Sequence, residues 1–534
     1  MSLKPLFGQK PGWRWGWLGL ILAVGLGLRI DALRQATDFG FNLGFQSDSM
    51  EAYEVAIGFI EGEPRAIYLG QPNFNPESKL PGPLWTMFCV AGLKLFGAIR
   101  GAAVLVLLTG TGAILLTYLL AVPTVGARAA LWAALLQAAS PLAVQYSVVV
   151  LNPAVMPSLG GLFFLSLWRV TQRDDSRAIA WVSFLAVIMP QFHFSSVGLV
   201  PAAVVAWRLS RRRLNLAWLS LGLIAGLFCY APYIYGEIMH HGQNTIGLAA
   251  GKSWHFSGEA FEVFSAPLAF LYNDWSPRWT YTPDEYGEIS RACFGGPAGV
   301  FVANCLSAVI VLLVTSGAVM LGVRAMRGFW RSPRETFARS PGVTFLVVAL
   351  IAPMLSALLI GQPFHPRYAL ILLAPLFGLS GAAVVMWLDQ PRVARILIPI
   401  VCVAVAVNIW FVMRIYRVQD QLVETTARFI PTFRHLERVY QTLQTHAGGD
   451  RLVELRDTQY EDGLSPLEGH WLAGALLIRR YIKVRNREMG VSAKHAAGPA
   501  LYILRRDAEV EAANHSVVYR QNGIAILTAA VDPK

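Results

Sequence analysis

The chain has little charge and few cysteines. Charged residues make up 15% of its 534 residues, whereas 55% are hydrophobic and the mean hydropathy is +0.46. A soluble enzyme of this length carries more charge, so the composition predicts a polytopic membrane protein. Four of the five cysteines lie in apolar runs, and Cys293 lies in a loop without an evident partner. A disulfide framework is therefore not expected.

Several common binding motifs are also missing from the sequence. It has no tandem repeat, no phosphate-binding glycine loop and no His/Cys spacing of the zinc-binding type. The net charge of +12 would suit a nucleic-acid partner, but the basic residues cluster between apolar runs, at 208–213, 324–334 and 392–395. The positive-inside rule accounts for such clusters. We therefore expect no nucleic acid among the partners.

The apolar runs predict about eleven transmembrane helices. Segment 82–96 is ambiguous, because it is short, begins with Pro-Gly-Pro at 81–83 and contains Lys94. If it crossed the membrane, the arginine-rich loops at 169–177 and 211–213 would face outward. If it lies in the interface, every arginine-rich loop is cytoplasmic, with the N-terminus inside and the C-terminus outside. The predicted spans are 15–34, 100–121, 127–148, 152–168, 178–190, 194–208, 214–233, 298–324, 343–361, 368–388 and 393–414.

This topology gives a membrane domain, 1–414, with two long outer loops, 35–99 and 236–297. The second loop is rich in aromatic and polar residues, as expected of a lid packed on the spans or of a gate over a lipid or acceptor. After Tyr416 the composition changes, with strand-like segments at 451–455, 501–504 and 517–527. The last contains Asn522-Gly523, a hairpin turn signal. Residues 415–534 are thus predicted to form a small extracytoplasmic α/β domain.

The first polar stretch, 45–85, carries the strongest site signal. Asp48 heads a helix-like segment, and Glu77 and Lys79 precede Leu-Pro-Gly-Pro at 80–83. Ionisable residues beside a membrane segment are a site hypothesis by default. The structural alternatives are a helix N-cap for Asp48 and, for Lys79, a lysine that reaches the lipid headgroups.

Five features of this chain occur together in a known class of enzymes. They are Asp48, Tyr53, YLGQP at 68–72, ESKLPGPLW at 77–85 and LNP at 151–153. In this order and spacing they resemble the bacterial polytopic glycosyltransferases of the C-class (GT-C) fold. That group includes the protein O-mannosyltransferase-like enzymes and the transferases that put aminoarabinose on lipid A. The resemblance covers roughly residues 15 to 388 and, more weakly, the tail.

The resemblance implies an activity and assigns roles to two residues, and a third is proposed from its place at the start of a span on the same face. Such enzymes move a sugar from a polyprenyl-phosphate carrier to an acceptor on the extracytoplasmic face, and we expect inversion by direct displacement. Asp48 matches the acid that serves as catalytic base. Lys79 matches a lysine beside the carrier phosphate, where a cation stabilises the leaving group. Arg367 is either a second phosphate ligand or an interface anchor beside Tyr368.

Five further residues are assigned to substrate binding: Tyr53, Glu77, Asn152, His193 and His365. Several relatives have aspartate where this chain has Asn152, and in metal-using members that acid helps to bind a divalent cation. Asparagine is a poorer ligand for a hard cation than a carboxylate. We therefore expect no metal and no other cofactor, with a divalent cation as the alternative. The alternative for each histidine is a hydrogen-bonded structural role, and the alternatives for Glu77 are to orient Lys79 or to be a solvated loop acid.

The sequence thus predicts a hexosyl- or pentosyltransferase of the bacterial cytoplasmic (inner) membrane. Its partners would be a polyprenyl-phosphate-linked sugar, a lipid, glycan or protein acceptor, and membrane lipids. A transporter or flippase of an amphipathic lipid is the main alternative, although no internal duplication of the spans supports it. A non-catalytic scaffold would not need Asp48 and Lys79 together. Polar residues that converge on one membrane-level cavity would favour the enzyme, and a central path would favour transport.

Overall fold

The computed structural model of the protein describes most of the membrane domain and parts of the tail. The two outer loops and the tail are described in pieces. The described residues are 11–36, 43–62, 68–72, 79–96, 101–210, 212–250, 258–271, 283–327, 332–360, 366–425, 433–447, 453–456, 482, 500–506, 517–521 and 524–528.

The described chain is mostly helical. Short 3₁₀ segments connect several of the helices, the most important being Asn152–Val155, Met189–Gln191 and Phe194–Gly198. The α-helices are α1 (Pro11–Ala36), α2 (Leu43–Glu61), α3 (Leu84–Phe96), α4 (Gly101–Val125), α5 (Ala127–Ala139), α6 (Pro141–Gln145), α7 (Met156–Gln172), α8 (Ala178–Ile188), α9 (Leu199–Ser210), α10 (Leu216–Phe228), α11 (Ala231–Met239), α12 (Gln243–Ala250), α13 (Pro283–Phe294), α14 (Pro297–Met326), α15 (Pro333–Arg339), α16 (Pro341–Ile360), α17 (Pro366–Ala369), α18 (Leu373–Leu388), α19 (Pro391–Thr425) and α20 (Phe433–Ala447).

Seven helical segments of the described chain are long and apolar enough to cross a membrane. An eighth span is formed if the pair α10 and α11, which is bent by 49° at residues 229–230, is taken as one. All eight coincide with predicted spans. The other three predicted spans, 127–148, 178–190 and 194–208, are helical but fall short of the same test, so the count of eleven stays a prediction. The seven are Gly12–Arg34, Gly101–Val125, Asn152–Gln172, Pro297–Met326, Pro341–Leu359, Pro366–Leu388 and Pro391–Ile415.

Proline and short polar side chains set where several helices begin. Ser140 ends α5 and caps α6, because its hydroxyl accepts a hydrogen bond from the amide of Ala143 and Pro141 occupies the first helical position. The hydroxyl also donates to the carbonyl of Phe270, at 2.6 Å. At the start of α10 the Asn215 carboxamide accepts from an amide in the first turn. These are the residue types that favour helix N-termini, so the breaks between short helices are encoded locally.

Helix α18 lies at the centre of the bundle. In the 18-residue apolar window of its span, Pro366–Leu388, 83% of the residues are buried, against 22% in the window of α14. It packs on α4, α5 and α14. The closest approach is at Gly381, where a Cβ would overlap the carbonyl oxygen of Ala129. A helix that is apolar all round is stable when enclosed or in lipid, so α18 forms the core and α14 is peripheral.

Ion pairs join helix ends at one end of the bundle. Arg128 at the start of α5 contacts Asp389 after α18, at 2.7 Å, and Arg212 contacts Asp174 at 3.0 Å. All four side chains are substantially exposed. Exposed pairs contribute little to stability. They do, however, bring together loops that the sequence assigned to the same side of the membrane.

A small hairpin precedes α3 at the opposite end. Strand β1 (Leu69–Pro72) pairs antiparallel with β2 (Lys79–Pro81). The sequence did not predict these strands. Helix α3 has 13 residues, or about 20 Å at 1.5 Å per residue, which is shorter than a hydrocarbon core of about 30 Å. The placement of segment 82–96 in the interface stays a prediction.

The described part of the tail contains a four-stranded sheet. Its strands are β3 (Val453–Arg456), β4 (Ala500–Arg506), β5 (Val517–Gln521) and β6 (Ile524–Thr528), in the order β3-β4-β6-β5. The pair β3 and β4 is parallel, and the other pairs are antiparallel. Helix α20 packs against β3 and β5. The three strand-like segments and the hairpin around 522–523 are confirmed, whereas the α/β domain as a unit stays a prediction.

Candidate functional site

Three of the eight predicted site residues lie wholly or partly outside the described part of the chain. Glu77 and His365 are outside the described residues, and for Asp48 only the backbone is described. That backbone lies inside α2, which begins at Leu43. An N-cap residue stands just before the first helical residue. The alternative role of Asp48 as a helix cap is therefore wrong.

The main chain of Lys79 is held by the side chain of Asn244. The Asn244 Oδ1 atom accepts from the Lys79 amide at 2.6 Å, and its Nδ2 atom donates to the Lys79 carbonyl at 3.1 Å. Asn244 belongs to α12, in the second long loop. Its Nδ2 also donates to the Tyr233 hydroxyl, at 3.1 Å. Lys79 itself is half-buried, so the predicted phosphate ligand is anchored by the loop 236–297.

A second contact joins the same hairpin to the same loop. The buried ring of Tyr68, just before β1, stacks on His240 with centroids 5.5 Å apart, and its hydroxyl hydrogen-bonds to His240 Nε2. The ring lies against Gly236, where a Cβ would overlap it. Both ends of the hairpin therefore depend on α11 and α12 for their position.

Gly82 brings the hairpin into contact with the turn at 189–191. Its φ is +109°, and a Cβ at this position would overlap the carboxamide oxygen of Gln191. Gln191 is fully buried, and its Nε2 atom donates to the carbonyl of Cys229 at 3.3 Å. Only glycine fits both the backbone conformation and the space. This contact places the Lys79 strand beside the corner that carries His193.

The corner packs His193 against the start of the span that carries Arg367. The rings of His193 and Tyr368 are 5.0 Å apart, and the Arg367 guanidinium lies 5.2 Å from the Tyr368 ring centroid. Burial and the nearby Arg367 lower the pKa of His193 to about 3. Its Nδ1 atom accepts from the amide of Ser195. The ring is therefore neutral, and its Nε2–H is the donor.

Asn152 and Tyr53 lie on elements that pack around these contacts. Asn152 begins the 3₁₀ turn Asn152–Val155, which packs against α17, the helix of Arg367. Tyr53 is fully buried in α2, and α2 packs on β1 and α3. The elements of Asn152, His193 and Arg367 therefore meet, and the Lys79 hairpin joins them through Gln191.

Sequence reasoning missed two residues that shape the site. Asn244 was one polar residue among many in a long loop, and nothing local distinguished it. Gln191 is not assigned a role by the sequence analysis either. The available signal was Pro81-Gly82-Pro83, because a glycine between two prolines indicates a backbone that another group approaches closely.

A separate apolar cleft lies deeper in the bundle. It lies between α5, α14, α18 and α19, and Asn408 is its polar member. None of the predicted site residues lines it, so this cleft does not decide between an enzyme and a transporter. Its lining residues are Leu136, Phe270, Leu271, Ile310, Phe377, Ala404, Val405 and Asn408.

The described residues contain no group of three or more His, Cys, Asp or Glu side chains arranged to hold a metal ion. The side chains of Asp48 and Glu77 are not among those described. The expected absence of a metal stays a prediction.

Comparison with known proteins identifies the fold. No protein-family model and no curated protein sequence matches the chain. Among solved structures, ArnT from Cupriavidus metallidurans bound to undecaprenyl phosphate is similar, with a TM-score of 0.58 at 15% identity over 97% of this chain and 98% of that one. Its apo form gives 0.57 at 15% identity over 96% and 97%.

A third structure, the oligosaccharyltransferase AglB from Archaeoglobus fulgidus, gives a TM-score of 0.44 at 14% identity over 93% of this chain and 70% of that one. A TM-score this low does not support an argument about the fold. The likeness to ArnT extends over nearly the whole of both chains and agrees with the helices described above. The protein is a multi-pass membrane protein with the C-class (GT-C) glycosyltransferase fold.

Proposed function

We propose that the protein is a membrane glycosyltransferase that takes its sugar from a polyprenyl-phosphate carrier. The observation that supports this most is the full-length likeness to ArnT in complex with undecaprenyl phosphate. The contacts of Gly82 with Gln191 and of His193 with Tyr368 support a shared site for Lys79, His193 and Arg367. Such a convergence of polar residues suits a lipid-linked donor with an anionic head group.

The proposed reaction is an inverting displacement. The acceptor hydroxyl or amine attacks the anomeric carbon, the bond from that carbon to the phosphate oxygen breaks, and polyprenyl phosphate leaves. Asp48 takes the proton from the acceptor as general base. Lys79 and Arg367 stabilise the negative charge that develops on the phosphate. The scheme assigns this charge stabilisation to Lys79 and Arg367 and includes no metal.

His193 takes part as a neutral hydrogen-bond donor. Because its pKa is about 3, it is uncharged at physiological pH and is a poor general acid. The contact from Ser195 to Nδ1 leaves Nε2–H to donate to a phosphate or sugar oxygen. Tyr53, Glu77, Asn152 and His365 are proposed to contact the sugar or the acceptor.

We propose about eleven spans, with the site and the C-terminus outside the cytoplasm of a bacterial inner membrane. The cross-contacts support this arrangement. Arg128–Asp389 and Arg212–Asp174 join predicted cytoplasmic loops, whereas the Lys79–Asn244 contact joins predicted outer loops. No described ion pair joins an inner loop to an outer one.

Residues 415–534 are proposed to form an outer domain that supports acceptor docking. The sheet β3-β4-β6-β5 with α20 across it is the supporting observation. Helix α19 continues to Thr425, so a deletion should begin after that residue. The deleted protein should keep donor binding and lose transfer to its acceptor. Normal transfer to every acceptor tested would contradict a docking role.

The direct test of the function is a donor panel. Purified protein in nanodiscs is incubated with polyprenyl-phosphate sugars that differ in the sugar, together with a membrane extract as acceptor source. Mass spectrometry then follows carrier consumption. We expect one donor to be converted to free polyprenyl phosphate, and Lys79→Ala to abolish this. Movement of intact carrier between leaflets without consumption would support the flippase instead.

A further inference from the structure

The carboxamide of Asn244 acts on the Lys79 backbone as a neighbouring β-strand would. It accepts from the amide at 2.6 Å and donates to the carbonyl at 3.1 Å. Asn244 is 6% exposed, so these bonds are shielded from water. The Lys79 amide and carbonyl fix the orientation of the carboxamide, and its Nδ2 also donates to the Tyr233 hydroxyl. A flipped carboxamide would place two oxygens against each other at the Lys79 carbonyl.

The direction of the main-chain groups explains why Lys79 needs this partner. In an extended strand the N–H and C=O of one residue point to the same side, and in antiparallel pairs alternate residues point away from the neighbouring strand. Both groups of Lys79 bond Asn244, so they point away from β1, where Pro72 is the register partner. Main-chain groups that are shielded from water and lack a partner are costly. Asn244 supplies the donor for the carbonyl and the acceptor for the amide.

Asn244 is itself fixed within a small polar network. The Tyr233 hydroxyl contacts the hydroxyl of Thr245 at 2.9 Å, and the amide of Thr245 donates to Glu237 Oε2 at 2.8 Å. These contacts join α11 to α12, so Asn244 is presented by a structured pair of helices. The backbone of Lys79 is therefore held at both its amide and its carbonyl.

We propose that Asn244 is a positioning residue that directs the Lys79 ammonium towards the donor phosphate. The proposal rests on the proposed function for the role of Lys79. A lysine side chain is long and flexible, so its reach into a site depends on where its Cα is held. Asn244 fixes that point from a segment 165 residues away. Removing the carboxamide should therefore weaken donor binding only when the Lys79 side chain is present.

A double-mutant cycle tests this dependence. Asn244→Ala should raise the donor Kd about tenfold, the effect of losing roughly two modest hydrogen bonds. In a Lys79→Ala background the same change should have less than about a twofold effect, because the group it positions is gone. An equal loss in both backgrounds would overturn the proposal. Asn215→Ala is the matched control, since it removes a carboxamide bond to a main-chain amide at the start of α10 and leaves both bonds to Lys79 in place, and it should change Kd less than twofold.

A second readout does not depend on the donor. Hydrogen–deuterium exchange of the peptide that contains Lys79–Pro81 should be faster in Asn244→Ala than in the unmodified protein or in Asn215→Ala. Asn244→Asp covers the case in which the alanine variant fails to fold, because it can accept from the Lys79 amide but cannot donate to the carbonyl. Unchanged exchange in both Asn244 variants would refute the positioning role. Faster exchange with no binding to any polyprenyl-phosphate sugar would refute the proposed function and leave the anchoring intact.

Discussion

Replacing Gly82 by alanine should be among the most damaging single-methyl changes near the site. Two costs combine at this position. The backbone φ of +109° is one that residues with a Cβ rarely adopt, and such strain costs about 1–3 kcal/mol. The new methyl group would also overlap the buried carboxamide of Gln191, and overpacking costs about 1–3 kcal/mol. We expect the free energy of unfolding to fall by about 2–6 kcal/mol.

Gly62 provides the matched control. It follows α2 with a φ of +82°, and a Cβ added there would have no described atom within 4 Å. Gly62→Ala therefore carries the backbone cost without the overlap, and we expect a loss of about 1–3 kcal/mol. The difference between the two variants isolates the contact between Gly82 and Gln191.

The assay is equilibrium unfolding in mixed micelles, together with donor binding. Gly82→Ala should also weaken binding, because Lys79 lies three residues before it on the displaced hairpin. In a Gln191→Ala background the added methyl group meets no carboxamide. Gly82→Ala should therefore lower the free energy of unfolding by about 1–3 kcal/mol less in that background than in the wild type. The reasoning is refuted if Gly82→Ala is no more destabilising than Gly62→Ala, or if the double variant is strictly additive.

Three further outcomes follow from described contacts. Because the pKa of His193 is lowered to about 3 while the unfolded value is about 6.5, its contribution to stability is complete above pH 6.5 and is lost as the pH falls below that value. Wild type should therefore lose about 2 kcal/mol more than His193→Gln between pH 7.5 and 5, and parallel stability curves would contradict this. Arg29 is buried, donates to the carbonyls of Gly25 and Ala138, and has no acidic partner among the described residues. Arg29→Met should thus leave unfolding free energy unchanged or raise it by about 1–3 kcal/mol, and a clear loss in a denaturation series would contradict this. A single cysteine at Gly97, after α3, should react with a membrane-impermeant reagent added outside intact cells. Labelling only from the cytoplasm would show that segment 82–96 crosses the membrane.

The helices could be predicted because the signal for a span is local. A run of apolar residues about 20 long identifies itself without knowledge of its neighbours. Eight predicted spans coincide with helices that pass the test of length and composition. The three that do not are shorter, and two of them, α8 and α9, flank the His193 corner. Short helices that end at a polar corner carry a weaker hydropathy signal, and so their membrane placement needs the tertiary structure.

The site was only partly predictable, because its decisive contacts join residues far apart in the chain. The acid, the lysine and the arginine could be selected by type and by resemblance. The Asn244 carboxamide, by contrast, hydrogen-bonds to Lys79, which is 165 residues away in the chain. No local sequence pattern indicates an asparagine that bonds a main chain as a neighbouring strand would. The same holds for Gln191 against Gly82. Lowering of the His193 pKa by burial and Arg367 is likewise a consequence of packing.

The central claim is that Asp48 and Lys79 divide the work of transfer from a polyprenyl-phosphate sugar. The most direct test measures donor affinity and single-turnover rate for Asp48→Asn, Lys79→Ala and Lys79→Arg in the same lipid. Asp48→Asn should bind the donor normally and transfer about 10²- to 10⁴-fold more slowly, since it removes only the base. Lys79→Ala should lose both binding and rate, and Lys79→Arg should recover part of the binding. An Asp48→Asn protein that transfers at the wild-type rate would contradict the account.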